Sequence, residues 1–107
     1  MSQRAILRVP ATAKRGEVIA IRTLIQHRME SGFRYDNTGE RIARDIITSL
    51  VATWDGEEIY AVELTPAIAA NPFVAFTTRA EKSGTLRVTW TGDNGFVWSE
   101  EARITVS

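Results

Sequence analysis

Asp55-Gly56 sits between two strand-like runs, Asp45–Trp54 and Glu57–Glu63, and this juxtaposition constrains the chain more than any other stretch. An Asp-Gly pair accepts the positive φ angles of a two-residue hairpin turn, so β-branched and apolar runs joined by it read as paired antiparallel strands. The pattern recurs downstream. Thr85–Trp90 alternates cleanly, with Leu86, Val88 and Trp90 facing inward and Thr85, Arg87 and Thr89 outward. Ser83-Gly84 turns the chain into that run, and Gly92-Asp93-Asn94-Gly95 turns it out again. Phe96-Val97-Trp98 and Ala102–Val106 close the chain, with Ala102, Ile104 and Val106 sharing a face.

Upstream, Arg4–Val9 is a short apolar run stopped by Pro10, which suits an edge strand or a strand end. Ala11–Gly16 reads as a loop. Glu17–Ile25 places Ile19, Ile21 and Ile25 on one face and Val18, Ala20 and Leu24 on the other, interrupted by Arg22; this predicts an inner strand. Thr65–Pro72 has room for one helical turn, opened by Pro66 and ended by Pro72, with Asn71 pushed into an extended conformation. Phe73–Ala80 is the next strand. No stretch long enough for a substantial helix has helical periodicity. The sequence therefore predicts an all-β, immunoglobulin-like antiparallel β-sandwich of about seven strands, as one domain over residues 1–107. At this length folding buries roughly two-thirds of the unfolded surface, enough for a core without staples.

Composition narrows the function. Thirteen basic residues balance thirteen acidic ones, so no global field steers nucleic acid to the chain. The charges are uneven along the sequence, basic in excess through residue 54 and acidic beyond it. The halves of a sandwich interleave, so this need not make poles. There is no cysteine, hence no internal disulfide, thiolate cluster or thiol nucleophile. No apolar run approaches the ~18 residues that span a membrane. Met1-Ser2-Gln3-Arg4-Ala5-Ile6-Leu7 lacks a signal-peptide pattern, which taken alone points to the cytoplasm.

The stretch Gln26–Ile47 is the unusual one. It links two strand patterns, holds the single histidine, His27, beside Met29, and alternates Glu30, Asp36 and Glu40 with Arg28, Arg34, Arg41 and Arg44. Asn37-Thr38-Gly39 has turn chemistry. A connection this long in a compact domain is more often functional or disordered than idle. His27 and Met29 are acceptable copper ligands, but a tight site wants three or four, and no second His or Cys can join them. The carboxylates lie among arginines, a pattern of solvated ion pairs rather than of two carboxyls with separated pKa values in a dry cleft. Ser31-Gly32 and Ser83-Gly84 have no histidine base at hand. Of the tryptophans, Trp90 belongs to the core and Trp98, near a turn, is the better candidate for exposure. Asn71-Pro72-Phe73 serves equally as a strand anchor or as an aromatic offered to a partner. With no catalytic constellation, cofactor or metal set, the residues read as a binding module.

The spacing His27-x-Met29-Glu30-x-Gly32-x-Arg34-x-Asp36-x-x-Gly39, followed by Ile42 and Ile46-Ile47, resembles the Z subunit family of the Sox sulfur-oxidation carrier, SoxZ. The likeness extends to Gly16-Glu17, to Ala70-Asn71-Pro72-Phe73 and to Ser83-Gly84-Thr85-Leu86 leading into Trp90, with Ala43 standing where the family has proline. The resemblance implies a non-catalytic subunit of the thiosulfate-oxidation carrier SoxYZ. In that pair the SoxY-type subunit bears the substrate-carrying cysteine on a flexible carboxy-terminal arm and hands its cargo to other Sox enzymes. It implies a heterodimer in the periplasm, exported with the partner; an unpaired sandwich with its partner-facing strands exposed is expected to form a homodimer as a substitute when isolated. Neither nucleic acid nor membrane is implied as a partner. The surface expected to meet the partner comprises His27, Met29, Glu30, Phe33, Arg34, Tyr35 and Asp36 together with Asn71, Pro72 and Phe73. Aromatic, Met and Arg side chains are the types enriched at interface centres. The competing reading is an immunoglobulin-like accessory module for another protein or a saccharide.

Overall fold

The computed structural model describes residues 4–107, so Met1–Gln3 of the amino-terminal reading lie outside the described residues. Eight strands follow in order: β1 (Ala5–Arg8), β2 (Thr12–Ala13), β3 (Val18–Ile25), β4 (Ile47–Trp54), β5 (Glu57–Glu63), β6 (Phe73–Arg79), β7 (Gly84–Gly92) and β8 (Val97–Val106). They form a three-stranded sheet, β1-β3-β6, packed on a five-stranded sheet, β2-β8-β7-β4-β5. The helical geometry among the described residues is a three-residue 3-10 turn, Asp93–Gly95. The all-β sandwich expected from the alternation is present.

The β4–β5 hairpin turns through Asp55 at φ +50° and Gly56 at φ +85°, the pair of positive angles that the right-handed twist of the strands selects. A bulge puts Ile59 out of register between the pairs Ala52–Tyr60 and Thr53–Glu58, and Ile59 and Tyr60 both reach the core. Tyr60 stacks on Phe76 across the two sheets, ring centres 4.2 Å apart and planes within 3°. The core is built from Ile19, Ile21 and Ile25 of β3, Leu50 and Trp54 of β4, Leu86, Val88 and Trp90 of β7, and Ile104 of β8. Thr23 occupies an inward position among them, its hydroxyl donating to the carbonyl of Val74 at 2.8 Å. That bond removes the cost of burying it.

Four expectations change. The loop over Ala11–Gly16 contains β2, which pairs in parallel with β8, so the sandwich is not wholly antiparallel. Pro10 has no N–H to continue the ladder with β3, and the chain crosses to the other sheet there. Strand β3 is central in its sheet, but only one face is covered. Val18 is 56% exposed and Arg22 is in solvent, because no third layer lies over the smaller sheet. Thr65–Pro72 makes a hydrogen-bonded turn rather than a helical one, with Ile68 N–H donating to the Thr65 carbonyl at 3.0 Å. Asn71 is left-handed, φ +54°, rather than extended. Two hydrogen bonds to His27 hold it there: its N–H donates to the His27 carbonyl (2.7 Å) and its Oδ1 accepts from the His27 N–H (3.0 Å).

Candidate functional site

The long connection between β3 and β4 is an arm with two legs. Glu30 and Asp45 exchange N–H to C=O bonds at its root, each 2.8 Å. Further out, Ile42 N–H donates to the Arg34 carbonyl (2.9 Å), and Tyr35 faces Arg41 as an antiparallel pair. At the tip, Asp36 Oδ1 accepts from Thr38 N–H (2.9 Å), the Thr38 hydroxyl (2.6 Å) and Glu40 N–H (3.0 Å). These bonds, the Thr38 hydroxyl foremost, hold the Asp36 carboxyl below its ordinary value. Such a carboxylate closes a turn as an Asx cap does. Gly32 lets the legs meet: at φ +89°, a Cβ there would lie 3.0 Å from Arg44 Cβ. The arm carries on from the ends of two strands and contributes to a molecule 60 Å long against 29 Å and 20 Å in its other dimensions.

The root is locked to the rest of the sandwich. Arg44 makes a two-point contact with Asp93, both nitrogens 2.9 Å from carboxylate oxygens, and Asp93 Oδ2 also accepts from Ile46 N–H at 3.1 Å. Asp93 is accordingly held below its ordinary value, chiefly by Arg44. Sequence reasoning missed Asp93, whose partner lies 49 residues away. Of the ion pairs expected within the stretch, Glu30–Arg34 forms. Arg41 instead donates to the Gly32 carbonyl, and Arg44 looks to Asp93.

The residues expected at a partner surface divide in two. Phe33 (72% exposed), Tyr35 (66%) and Phe73 (62%) stand in solvent, and Arg34 is exposed with its guanidinium on the buried carboxylate of Glu30. His27, Met29, Glu30 and Pro72 are buried, and Asp36 and Asn71, although exposed, shape the backbone. Met29 is a core residue here. Its φ of +52° turns the side chain inward, where Sδ accepts from Ile47 N–H at 3.2 Å.

His27 Nδ1 accepts from Met29 N–H at 3.0 Å, which leaves the proton of the neutral ring on Nε2, 3.9 Å from Asp45 Oδ1. Its ring meets Phe96 edge-on, centres 5.2 Å apart. With Nδ1 and the Met29 sulfur both engaged, neither is free to ligate a metal. Among the described residues no three His, Cys, Asp or Glu side chains come together as a ligand set.

Burial lowers the His27 pKa from 6.5; Asp45 opposes this, and Arg4 and Arg28 add to it. A group that binds its proton less readily when folded costs stability as pH falls below its unfolded value. Stability should therefore decline as pH drops below about 6.5 toward the lower folded value. A second decline below about 4.5 should follow as Glu30, Asp36 and Asp93, all lowered, take up protons. Urea titrations across pH should show both steps, and His27→Gln should remove the first. An unchanged profile in that variant would discard the assignment.

The amide and sulfur contacts of this arm root occur in a chain whose sequence matches, over residues 7–103, the profile described as Sulphur oxidation protein SoxZ. The chain belongs to the SoxZ family. Membership places it in the Sox sulfur-oxidation system as a sulfur-carrier subunit, the role that the spacing from His27 to Gly39 implied. No curated protein matches the sequence significantly. Among solved structures, the sulfur carrier protein SoxY from Chlorobium limicola f thiosulfatophilum is 13% identical, with TM-score 0.69 over 99% of this chain and 81% of that one. Superoxide reductase (neelaredoxin) from Ignicoccus hospitalis is 18% identical, TM-score 0.70, covering 98% of this chain and 81% of that one. A single-residue variant of the same reductase aligns at TM-score 0.76 with 19% identity, over 96% of this chain and 79% of that one. At such identities these likenesses show a shared sandwich and nothing about chemistry.

Proposed function

We propose that this SoxZ-family chain acts as the non-catalytic half of its carrier, binding a SoxY-type subunit through the outer side of the arm and the start of β6. The observation that carries the proposal is the set of exposed aromatics, Phe33, Tyr35 and Phe73, on backbone that internal hydrogen bonds already order. Large apolar side chains held in solvent are costly to leave uncovered and cheap to bury, since little conformational entropy remains to be lost. The absence of cysteine from the sequence supports a role in which the partner carries the sulfur. Export in the partner's company to the periplasm belongs to the same reading, as does self-association of the isolated chain through the same aromatics.

A permanent pair should bury roughly 2,000 Å² or more and be apolar at its centre. Co-expression with a cysteine-bearing Y-type subunit should give a complex that survives gel filtration. By calorimetry, Phe33→Ala should weaken it by on the order of 2 kcal/mol, about thirtyfold, if Phe33 is a central anchor. Arg34→Ala should have a smaller effect that fades with added salt, as expected of a charge at the rim. Failure to co-elute would end the pairing with a Y-type subunit. A complex indifferent to Phe33, Tyr35 and Phe73 together would keep the function and discard this surface.

A further inference from the structure

Beside the arm root, an open depression of about 440 Å³ is lined by Arg4, Gln26, His27, Arg28, Ala70 and Asn71. Its polar side chains are dominated by donors and cations. Arg4 is placed by the bond from Gln26 N–H to its carbonyl (2.8 Å), and its guanidinium lies 4.9 Å from the centre of the Phe96 ring. There Arg4 Nε is buried without a hydrogen-bond partner among the described residues. Neither Arg4 nor Arg28 has a carboxylate within salt-bridge distance among the described residues. The carboxylates nearby have other attachments: Asp93 is held by Arg44 and Ile46 N–H, Glu30 is paired with Arg34, and Asp45 lies 3.9 Å from His27 Nε2. The Asn71 Oδ1 is consumed by His27 N–H, which turns the other end of that amide, a donor, into the remaining polar function.

We infer that this depression binds a small oxyanion, of the size and charge of sulfate or thiosulfate, between the guanidinium groups of Arg4 and Arg28 with the Asn71 amide as a further donor. Two guanidinium-bearing side chains without a carboxylate partner line the depression, and a doubly charged oxyanion accepts several charge-assisted hydrogen bonds from such groups at once. The Phe96 ring against Arg4 and the two hydrogen bonds between Asn71 and His27 hold Arg4 and Asn71 in place before the anion arrives, which limits reorganisation. The inference does not rest on the partner surface, since none of the pocket's cations belongs to it.

Titration of the isotope-labelled full chain with sodium sulfate and with sodium thiosulfate, against sodium chloride at matched ionic strength, tests the site by amide shifts. Saturable shifts in the millimolar range, centred on residues 26–28 and 70–71 and absent with chloride, are expected. Arg28→Ala should weaken both oxyanions about tenfold, while Arg22→Ala, an equal loss of charge on the open sheet face, should leave them unchanged. Arg4→Ala should do the same as Arg28→Ala; because it also removes a contact with Phe96, its fold is checked by its amide spectrum. Shifts scattered over the basic surface, an equal loss in Arg22→Ala, or no saturable shift with either oxyanion would each overturn the site. Co-elution with a partner subunit is read separately, so neither result decides the other.

Discussion

Met29→Ala is expected to cost about 2–5 kcal/mol of stability, the range for truncating a buried methionine. It should lower Tm by more than about 10 °C in a domain of this size. The side chain is 6% exposed and does two jobs. Its methylenes fill space where the arm meets the core, and its sulfur accepts the Ile47 N–H, which opens β4. Met29→Leu separates the two. Volume is kept, so the packing loss should be small, but the Ile47 N–H is left in an apolar site without an acceptor, at a cost of roughly 1–3 kcal/mol. Denaturant titrations should rank wild type above Met29→Leu above Met29→Ala, with similar m values if the unfolded state is unaltered. Equal stability of wild type and Met29→Leu would show that the sulfur contact contributes nothing.

Trp90→Ala should be at least as damaging, about 3–5 kcal/mol, while Trp98→Ala should stay within about 1 kcal/mol. The contrast is informative because the two tryptophans are cross-strand partners in the β7–β8 ladder and project to the same face. Trp90 has no exposure, whereas Trp98 is 38% exposed with its indole N–H on Glu100 at 3.0 Å. Three strands cover a sheet of five, so the inner face of β8 is only partly roofed at that end. Thermal melts of the two variants would check the difference. Comparable losses would mean that Trp98 is packed more firmly than its exposure indicates.

Where the chain is regular, its sequence was readable. The alternation of Thr85–Trp90 and the Asp-Gly turn at residues 55–56 each depend on neighbours within a few positions, and both strands and turn stand as expected. Phe33 and Tyr35, expected at a partner surface, are exposed, and so is Phe73, whose sequence reads equally as a strand anchor or as an offered aromatic. What escaped depends on long-range closure. Met29 lies in a polar stretch and reads as surface, yet one left-handed residue directs it into the core. Arg44 lies among nearby acids and reads as their partner, yet the turn at Asp93 brings a better-placed carboxylate. Asn71 precedes proline and reads as extended, until the His27 backbone supplies two bonds that reward the other conformation. In each case a contact more than fifteen residues distant, or a single φ, outweighs the local preference.

The drawn-out shape has a practical consequence in solution. A compact chain of this length has a radius of gyration of about 13 Å, and this one has 16.3 Å. Sieving columns sort by the volume that a tumbling body sweeps, so a monomer of 11.9 kDa leaves early, where a globular protein of greater mass would. Elution volume by itself therefore imitates self-association. Light scattering or sedimentation, which weigh the particle, would distinguish a lone chain from two copies and from a chain joined to its partner.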